Sequence, residues 1–99
     1  MDERNELIML YDYYGQLLTD SQREYFEDYY FNNLSLGEIA EKLDISRNAV
    51  HKQLKVASDK LRFYEKELQI ISKKEEIYKE LNKINNEELK NKIINIIER

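Results

Sequence analysis

Residues 36–62 read LGEIAEKLDISRNAVHKQLKVASDKLR. Apolar side chains in the first part of this stretch follow the spacing of one helix face, at Leu36, Ile39, Ala40 and Leu43. A second set follows the same spacing further on, at Val50, Leu54, Ala57 and Leu61. Between the two sets lie Asp44, Ile45 and Ser46, which are enough for a tight turn. A short helix, a tight turn and a longer helix form the plan of a helix-turn-helix.

The physical demands of that motif are met residue by residue. Ala40 is small, so the second helix can cross close to the first, and Ile45 can fill the corner between them. Ser46 is suited to cap the second helix. Asp44 occupies the turn position where glycine is common, and aspartate tolerates the left-handed backbone conformation better than most residues. The stretch therefore predicts a helix-turn-helix over residues 36–62.

With the apolar stripe turned to the core, the start of the second helix offers six candidate nucleic-acid-binding residues: Ser46, Arg47, Asn48, His51, Lys52 and Lys55. Arginine and lysine can contact guanine or phosphate, asparagine can pair with adenine, and a neutral histidine can bond a base edge. The alternative is that these residues are the solvated face of an ordinary helical hairpin. The agreement of spacing, cap, small residue and local charge favours nucleic-acid binding.

Charge is distributed unevenly along the chain, whose net charge is −4. Residues 1–35 carry eight acidic and two basic side chains, whereas residues 47–62 carry five basic and one acidic. A short basic segment in an acidic chain indicates an element that faces a polyanion. Arg47, Lys52 and Lys55, with Lys60 and Arg62 as further candidates, predict about three to five phosphate contacts.

The rest of the chain predicts helices only. Two glycines and no proline fit helices joined by capped turns. Helix starts are indicated by Thr19-Asp20-Ser21-Gln22, Ser35-Leu36-Gly37-Glu38 and Ser72-Lys73-Lys74-Glu75, and Asn85-Asn86-Glu87-Glu88 follows the same pattern with asparagine as the cap. The predicted helices span residues 4–17, 20–32, 36–43, 47–71, 73–84 and 87–98. Aromatic residues at core spacing are Tyr11, Tyr14, Phe26, Tyr29 and Tyr30.

Two parts are expected: a helix-turn-helix domain over residues 1–71, and a C-terminal helical extension over residues 72–99. The apolar residues after residue 62 are numerous for so small a chain, and they include Ile77, Leu81 and Ile93. They require either intramolecular packing or a second copy, and we expect a homodimer.

Several classes of function are not expected. The chain has no cysteine, and His51 is its only histidine, so neither a metal site nor a histidine-based triad can be assembled in the usual way. Gly15 and Gly37 stand alone, which excludes a glycine-rich phosphate loop. We therefore expect no enzyme, cofactor, metal or small-molecule substrate. No long apolar run or leader pattern is present, which predicts a cytoplasmic protein without a membrane partner.

Residues 18–62 resemble region four of bacterial sigma factors, the part that reads the promoter −35 element. The matching residues are Leu18-Thr19, Ser21-Gln22-Arg23-Glu24, Tyr29-Tyr30, Leu34 to Ala40, Leu43, Ile45-Ser46-Arg47, Ala49-Val50, Leu54, Ala57 and Leu61. This resemblance implies an all-α, sigma region four-like helix-turn-helix bundle, here with an extra N-terminal helix and a C-terminal helical extension.

The whole chain is more similar to the YlxM family of small Gram-positive and mycoplasma proteins. Those proteins also have an extra N-terminal helix, here holding Leu10-Tyr11-Asp12-Tyr13-Tyr14-Gly15. The family's genes typically neighbour those of the signal recognition particle GTPases. The resemblance therefore implies a nucleic-acid-binding regulatory protein, with DNA as the expected target and RNA as the other possibility, linked to that targeting pathway. The alternative is an adaptor that binds the targeting GTPase or its RNA without sequence-specific DNA binding.

Overall fold

The computed structural model describes residues 2–99, and this range contains six α-helices, one 3₁₀ turn and no strand. The helices are α1 (Glu3–Tyr14), α2 (Asp20–Tyr30), α3 (Leu36–Leu43), α4 (Arg47–Leu68), α5 (Ile70–Leu81) and α6 (Glu87–Ile97), with the 3₁₀ turn at Gly15–Leu17. The predicted all-α helix-turn-helix fold is confirmed. The chain forms two compact units, one ending at Leu68 and the other spanning Gln69–Arg99.

Two of the predicted capping boxes are present. The Thr19 hydroxyl accepts a hydrogen bond from the Gln22 backbone N–H at 3.2 Å, and Gln22 Oε1 accepts from the Thr19 N–H at 2.9 Å. Ser35 and Glu38 form the same pair of bonds at the start of α3, at 3.1 and 2.9 Å. Each box satisfies two backbone donors that a helix start leaves without partners. The chain therefore fixes the starts of α2 and α3 locally.

The predicted helix start at Ser72 is wrong. The break after α4 lies at Gln69, whose φ of 55° and ψ of 31° are left-handed, and α5 begins at Ile70. Ser72 lies inside α5, where its hydroxyl donates to the Gln69 carbonyl at 3.4 Å. A serine can bond a preceding helical carbonyl as readily as it caps a helix. Helix α4 thus ends at Leu68, three residues before its predicted end at residue 71.

The first unit is built around α4, which packs against α1, α2 and α3. All four residues of its predicted stripe are buried, namely Val50, Leu54, Ala57 and Leu61. Of the predicted aromatic core, Tyr14 and Phe26 are buried, while Tyr11, Tyr29 and Tyr30 are half-buried. The Tyr11 ring stacks on Phe26 with ring centroids 4.6 Å apart. Burial of these side chains fixes which face of α4 remains outside.

Helix α1 ends at Tyr14, before the predicted residue 17, and Gly15 follows it as the C-cap. The close contact of Gly15 with Tyr11 can be tested by substitution. A Cβ at this position would lie 2.9 Å from the Tyr11 ring, which is itself stacked on Phe26 and cannot retreat freely. We expect Gly15→Ala to lower the free energy of unfolding by about 1–3 kcal/mol in urea titrations, the usual cost of overpacking. Gly37→Ala is the control, because its added Cβ would meet nothing closer than 3.9 Å. Equal stability of the two variants would contradict the close packing of Tyr11.

Asp28 is a buried carboxylate that joins α2 to α3. It is 3% exposed and accepts hydrogen bonds from Lys42 Nζ at 2.8 Å and Asn32 Nδ2 at 3.1 Å. Burial raises the pKa of the Asp28 carboxyl, but the bonds from Lys42 and Asn32 outweigh burial and leave the pKa below its ordinary value. A carboxyl with a lowered pKa stabilises the fold above its ordinary pKa, and that contribution is lost as the pH falls through the folded-state pKa.

We therefore expect Asp28→Asn to lower the free energy of unfolding at pH 7 by about 1.5–3 kcal/mol, the range for hydrogen bonds to charged groups. The variant should also lose less stability than the wild type when the pH falls below about 4, because it lacks the titrating carboxyl. Urea titrations at pH 7 and pH 3 measure both effects. Asp12→Asn, at an exposed position of α1, is the control and should match the wild type at both pH values. Identical behaviour of the two variants would rule out the stabilising role of Asp28.

The second unit is a pair of helices. The side chain of Asn86 caps α6 by accepting from the Leu89 N–H at 3.0 Å, one residue after Asn85, the cap that the Asn85-Asn86-Glu87-Glu88 pattern predicts. Leu81 is the buried residue at the end of α5, at 2% exposure. No residue of α6 itself is buried.

Candidate nucleic-acid interface

The turn between α3 and α4 sets the direction of α4. Asp44 has the predicted left-handed conformation, with φ 55° and ψ 49°. The next backbone N–H, that of Ile45, donates to the Ala40 carbonyl at 3.0 Å, and Ile45 packs against the core cluster of Ile39 and Val50. These contacts close the end of α3 and fix the corner, because they satisfy carbonyls that a helix end leaves open.

The start of α4 is capped and carries no acidic residue. Ser46 Oγ accepts a hydrogen bond from the Ala49 N–H at 3.0 Å, as predicted. The first turn of α4 contains no aspartate or glutamate, a feature it shares with α5, whereas α1, α2, α3 and α6 each have at least one. A helix start carries partial positive charge and unpaired N–H groups. With no acidic side chain to neutralise it, this end of α4 is suited to an anion such as a phosphate.

The packing of α4 turns the six candidate residues outward. Val50, Leu54 and Ala57 are 0%, 7% and 0% exposed, so the opposite face is at the surface. All six lie in exposed positions: Ser46, Arg47, Asn48, His51, Lys52 and Lys55. Arg47, His51 and Lys55 are spaced by four residues and so lie along one line of the helix surface. The structure thus places the six residues on one accessible face.

The cations of this face differ in how strongly they are already paired. Neither Arg47 nor Lys52 takes part in an ion pair or side-chain hydrogen bond with any residue that the structure describes. Lys55 forms an exposed pair with Asp59, with Nζ and Oδ2 2.8 Å apart. Exposed pairs of this spacing contribute little to stability, so Lys55 can exchange Asp59 for a phosphate at small cost. The face therefore offers two uncommitted cations and a third that is weakly held.

Lys60 and Arg62, the further candidates for phosphate contacts, are engaged elsewhere. The Arg62 guanidinium contacts Glu6 at 3.2 Å and Glu3 at 3.5 Å, both on α1. Lys60 is half-buried and its Nζ donates to Gln22 Oε1 at 3.5 Å. The predicted number of phosphate contacts thus falls from about three to five to about two or three. The ion pair of Lys55 with Asp59 can be predicted from their spacing of four residues on one helix. The ion pairs of Arg62 cannot, because its partners Glu6 and Glu3 lie at least 56 residues away in the sequence.

A surface cleft adjoins the candidate face and was not apparent from the sequence. Tyr29 and Tyr30 of α2 and His51 and Lys55 of α4 are among its lining residues. Its Ser58 hydroxyl is already satisfied, since it donates to the Leu54 carbonyl at 2.9 Å. The sequence predicts Tyr29 and Tyr30 only as core residues. It gives no sign that they also line a cleft with residues of α4, because α2 and α4 are far apart in the sequence.

A capped helix with a basic outer face, held by a tight turn against a short preceding helix, defines the chain as a helix-turn-helix protein. A family model described as "Putative helix-turn-helix protein, YlxM / p13 like" matches residues 1–99. The chain belongs to this family, which confirms the resemblance to the YlxM family drawn from the sequence. No helix within residues 2–99 is long and apolar enough to cross a lipid bilayer.

Relatives from several bacteria match most of the chain. A UPF0122 protein of Caldanaerobacter subterraneus subsp. tengcongensis is 55% identical over 78 residues, which are 79% of this chain and 67% of the relative. A UPF0122 protein of Malacoplasma penetrans is 42% identical over 80 residues, covering 78% and 75%. A third, from Oceanobacillus iheyensis, is 40% identical over 84 residues, covering 85% and 80%. Since these names designate the family alone, the function has to be argued from the residues of the site.

Proposed function

We propose that the chain is a regulatory protein of the cytoplasm that binds duplex DNA through the outer face of α4. One observation carries this proposal: Arg47 and Lys52, which form no ion pair with the described residues, lie beside a capped helix start that lacks acidic residues. Both cations can meet a phosphate without breaking an existing contact, and the phosphate backbone is the anion that a helix of this motif approaches.

Residue types on the same face favour contacts to bases as well as phosphates. Asn48 and His51 are exposed between the cations. Asparagine can bond both edge atoms of adenine in the major groove, and histidine can bond a base edge. Because phosphate contacts position a protein and base contacts specify a sequence, Arg47 and Lys52 would fix the register while Asn48 and His51 read it. Duplex DNA is favoured over duplex RNA, whose major groove is too narrow to admit a helix.

The acidic charge of the rest of the chain favours sequence-specific over non-specific binding of nucleic acid. Residues 1–35 carry six more acidic than basic side chains, so nucleic acid is repelled from most of the first unit. Binding then depends on the few cations of α4. We expect weak affinity for arbitrary sequences and a marked preference for the correct one.

A role in the signal recognition particle pathway is the finer part of the proposal. It rests on the family's gene neighbourhood, which is an association and not a contact. Ultraviolet crosslinking of the full chain in its own cells, followed by identification of bound nucleic acids and proteins together, tests it. Recovery of promoter-proximal DNA supports the DNA-binding regulator. Recovery of the targeting RNA or its GTPase, with no DNA, would instead establish the adaptor.

Two measurements on the full chain test the DNA-binding step. Repeated rounds of selection from a random-sequence duplex DNA library should enrich one sequence. Fluorescence anisotropy should then show weaker binding to a labelled duplex RNA than to a labelled duplex DNA of equal length. Equal binding to both duplexes without enrichment would overturn base readout. No binding to either at low salt would overturn the assignment of the face.

A further inference from the structure

Helix α6 has many aliphatic side chains that are not buried. Its eleven residues include one leucine and four isoleucines, and none of them is buried. Leu89 is 47% exposed and Ile96 is 59% exposed. These two residues are seven positions apart and so lie on one face of the helix, together with Ile93. Contiguous exposed apolar surface of this kind usually marks a site of interaction.

A groove of the same unit continues this apolar face. Its apolar lining residues are Ile77, Leu81, Ile84 and Ile93. Leu81 forms a buried part of it, whereas Ile77 is 42% exposed. Its polar lining residues are the acidic Glu76 and Glu80, both exposed, and the basic Lys73. The groove is therefore apolar at its centre and acidic at part of its rim.

The size of the unit argues that this surface is covered. Within Gln69–Arg99, Ile71 and Leu81 are the buried hydrophobic residues. Units shorter than about 40 residues usually need oligomerisation, a metal or disulfides to be stable. The chain has no cysteine, and no cluster of potential metal ligands occurs within residues 2–99. Burial against another surface is the remaining source of stability.

Charge complementarity points to the occupant. Lys92 lies between Leu89 and Ile96 in the sequence and flanks the apolar face of α6, and its partner Glu88 is a weak one at 3.5 Å. Both side chains of that pair are mostly exposed, so exchanging it costs little. On the groove side, Glu80 forms an equally exposed pair with Lys83 at 3.3 Å, which also exchanges at little cost. Glu76 and Glu80 are therefore the acidic rim residues that Lys92 can meet. The surface of α6 and the groove beside it thus complement each other.

We propose that this face pairs with the same face of a second copy of the chain. Leu89 and Ile96 of each copy fill the groove formed by Ile77, Leu81 and Ile84 of the other, and Lys92 faces Glu76 and Glu80 across the rim. Such a two-fold arrangement uses one patch twice and closes on itself.

Sedimentation velocity of the full chain from about 1 to 200 μM tests the pairing. The wild type shifts from monomer to dimer with concentration. Ile96→Asp, at a position exposed in the single chain, keeps the helical content and melting temperature but remains a monomer. Lys92→Glu and Glu80→Lys each weaken association about tenfold, and the double variant restores it, because the exchanged charges again attract across the rim.

Lys79→Glu is the matched control, since it makes the same charge change on α5 away from the groove and leaves association unchanged. A wild-type monomer at every concentration would overturn the pairing. A dimer that survives Ile96→Asp, or no rescue in the double variant, would overturn this mode of pairing. Anisotropy with a short single-site duplex, on the same samples, separates this inference from the proposed function: unchanged DNA binding by monomeric Ile96→Asp leaves the role of α4 intact.

Discussion

Replacing Val50 with aspartate is expected to unfold the first unit. Val50 is fully buried in a cluster with Ile39, Ala40 and Leu54. The residues of that cluster and the hydrophobic residues packed against it carry no charge, so they offer the new carboxylate no ionic partner. Leaving a carboxylate unpaired in such a site costs several kcal/mol, a large share of the roughly 5–15 kcal/mol that holds a domain together.

Circular dichroism and thermal melting of the full chain measure this loss. The matched control is Val56→Asp, the same substitution on the same helix at a side chain that is 37% exposed. We expect a change within about 1 kcal/mol for the control and loss of most cooperative unfolding for Val50→Asp. If the two variants melted alike, α4 would be rotated relative to the core, and the outward direction of Arg47, His51 and Lys52 would be wrong as well.

The second large effect concerns binding and not folding. We expect Arg47→Ala combined with Lys52→Ala to lower the affinity for duplex DNA by at least about a hundredfold at low salt, about tenfold for each lost contact. Both side chains are exposed, and neither contributes an ion pair or side-chain hydrogen bond to the fold. The melting temperature should therefore stay within a few degrees of the wild type.

Anisotropy with a fixed duplex measures this loss, and Lys66→Ala combined with Lys79→Ala is the control. It removes the same charge from exposed positions outside the candidate face. An equal loss in both double variants would show that net charge, and not this face, drives the binding. A melting temperature as low as that of a core variant would show instead that the two side chains support the fold.

Local signals in the sequence were sufficient for most of the helix-turn-helix. The caps at Thr19 and Ser35, the left-handed Asp44 and the buried stripe of α4 depend on residues within one or two turns of each other. Such short-range patterns can be recognised in a sequence because a capping box or an apolar stripe is defined by the spacing of its residues. The exposed positions of the six candidate residues followed directly from that stripe.

The features that the sequence did not reveal depend on distant residues or on rare local conformations. Gln69 adopts a left-handed conformation that glutamine seldom favours, so nothing in its identity indicated the break there. The ion pairs of Arg62 join α4 to α1 across 56 residues, and only the folded chain shows that this cation is committed. The cleft at Tyr29 and Tyr30 was likewise hidden, since α2 meets α4 only in the fold.

The salt dependence of DNA binding tests the central claim, that the cations of α4 carry the interaction. With Arg47 and Lys52 available and Lys55 recruited from Asp59, about two or three phosphates are neutralised per copy. The plot of log K against log salt should then have a slope of about −1.8 to −2.7 per bound copy, falling toward zero in the Arg47→Ala, Lys52→Ala variant. A slope near zero for the wild type with binding intact, or a slope that the double substitution leaves unchanged, would contradict the claim.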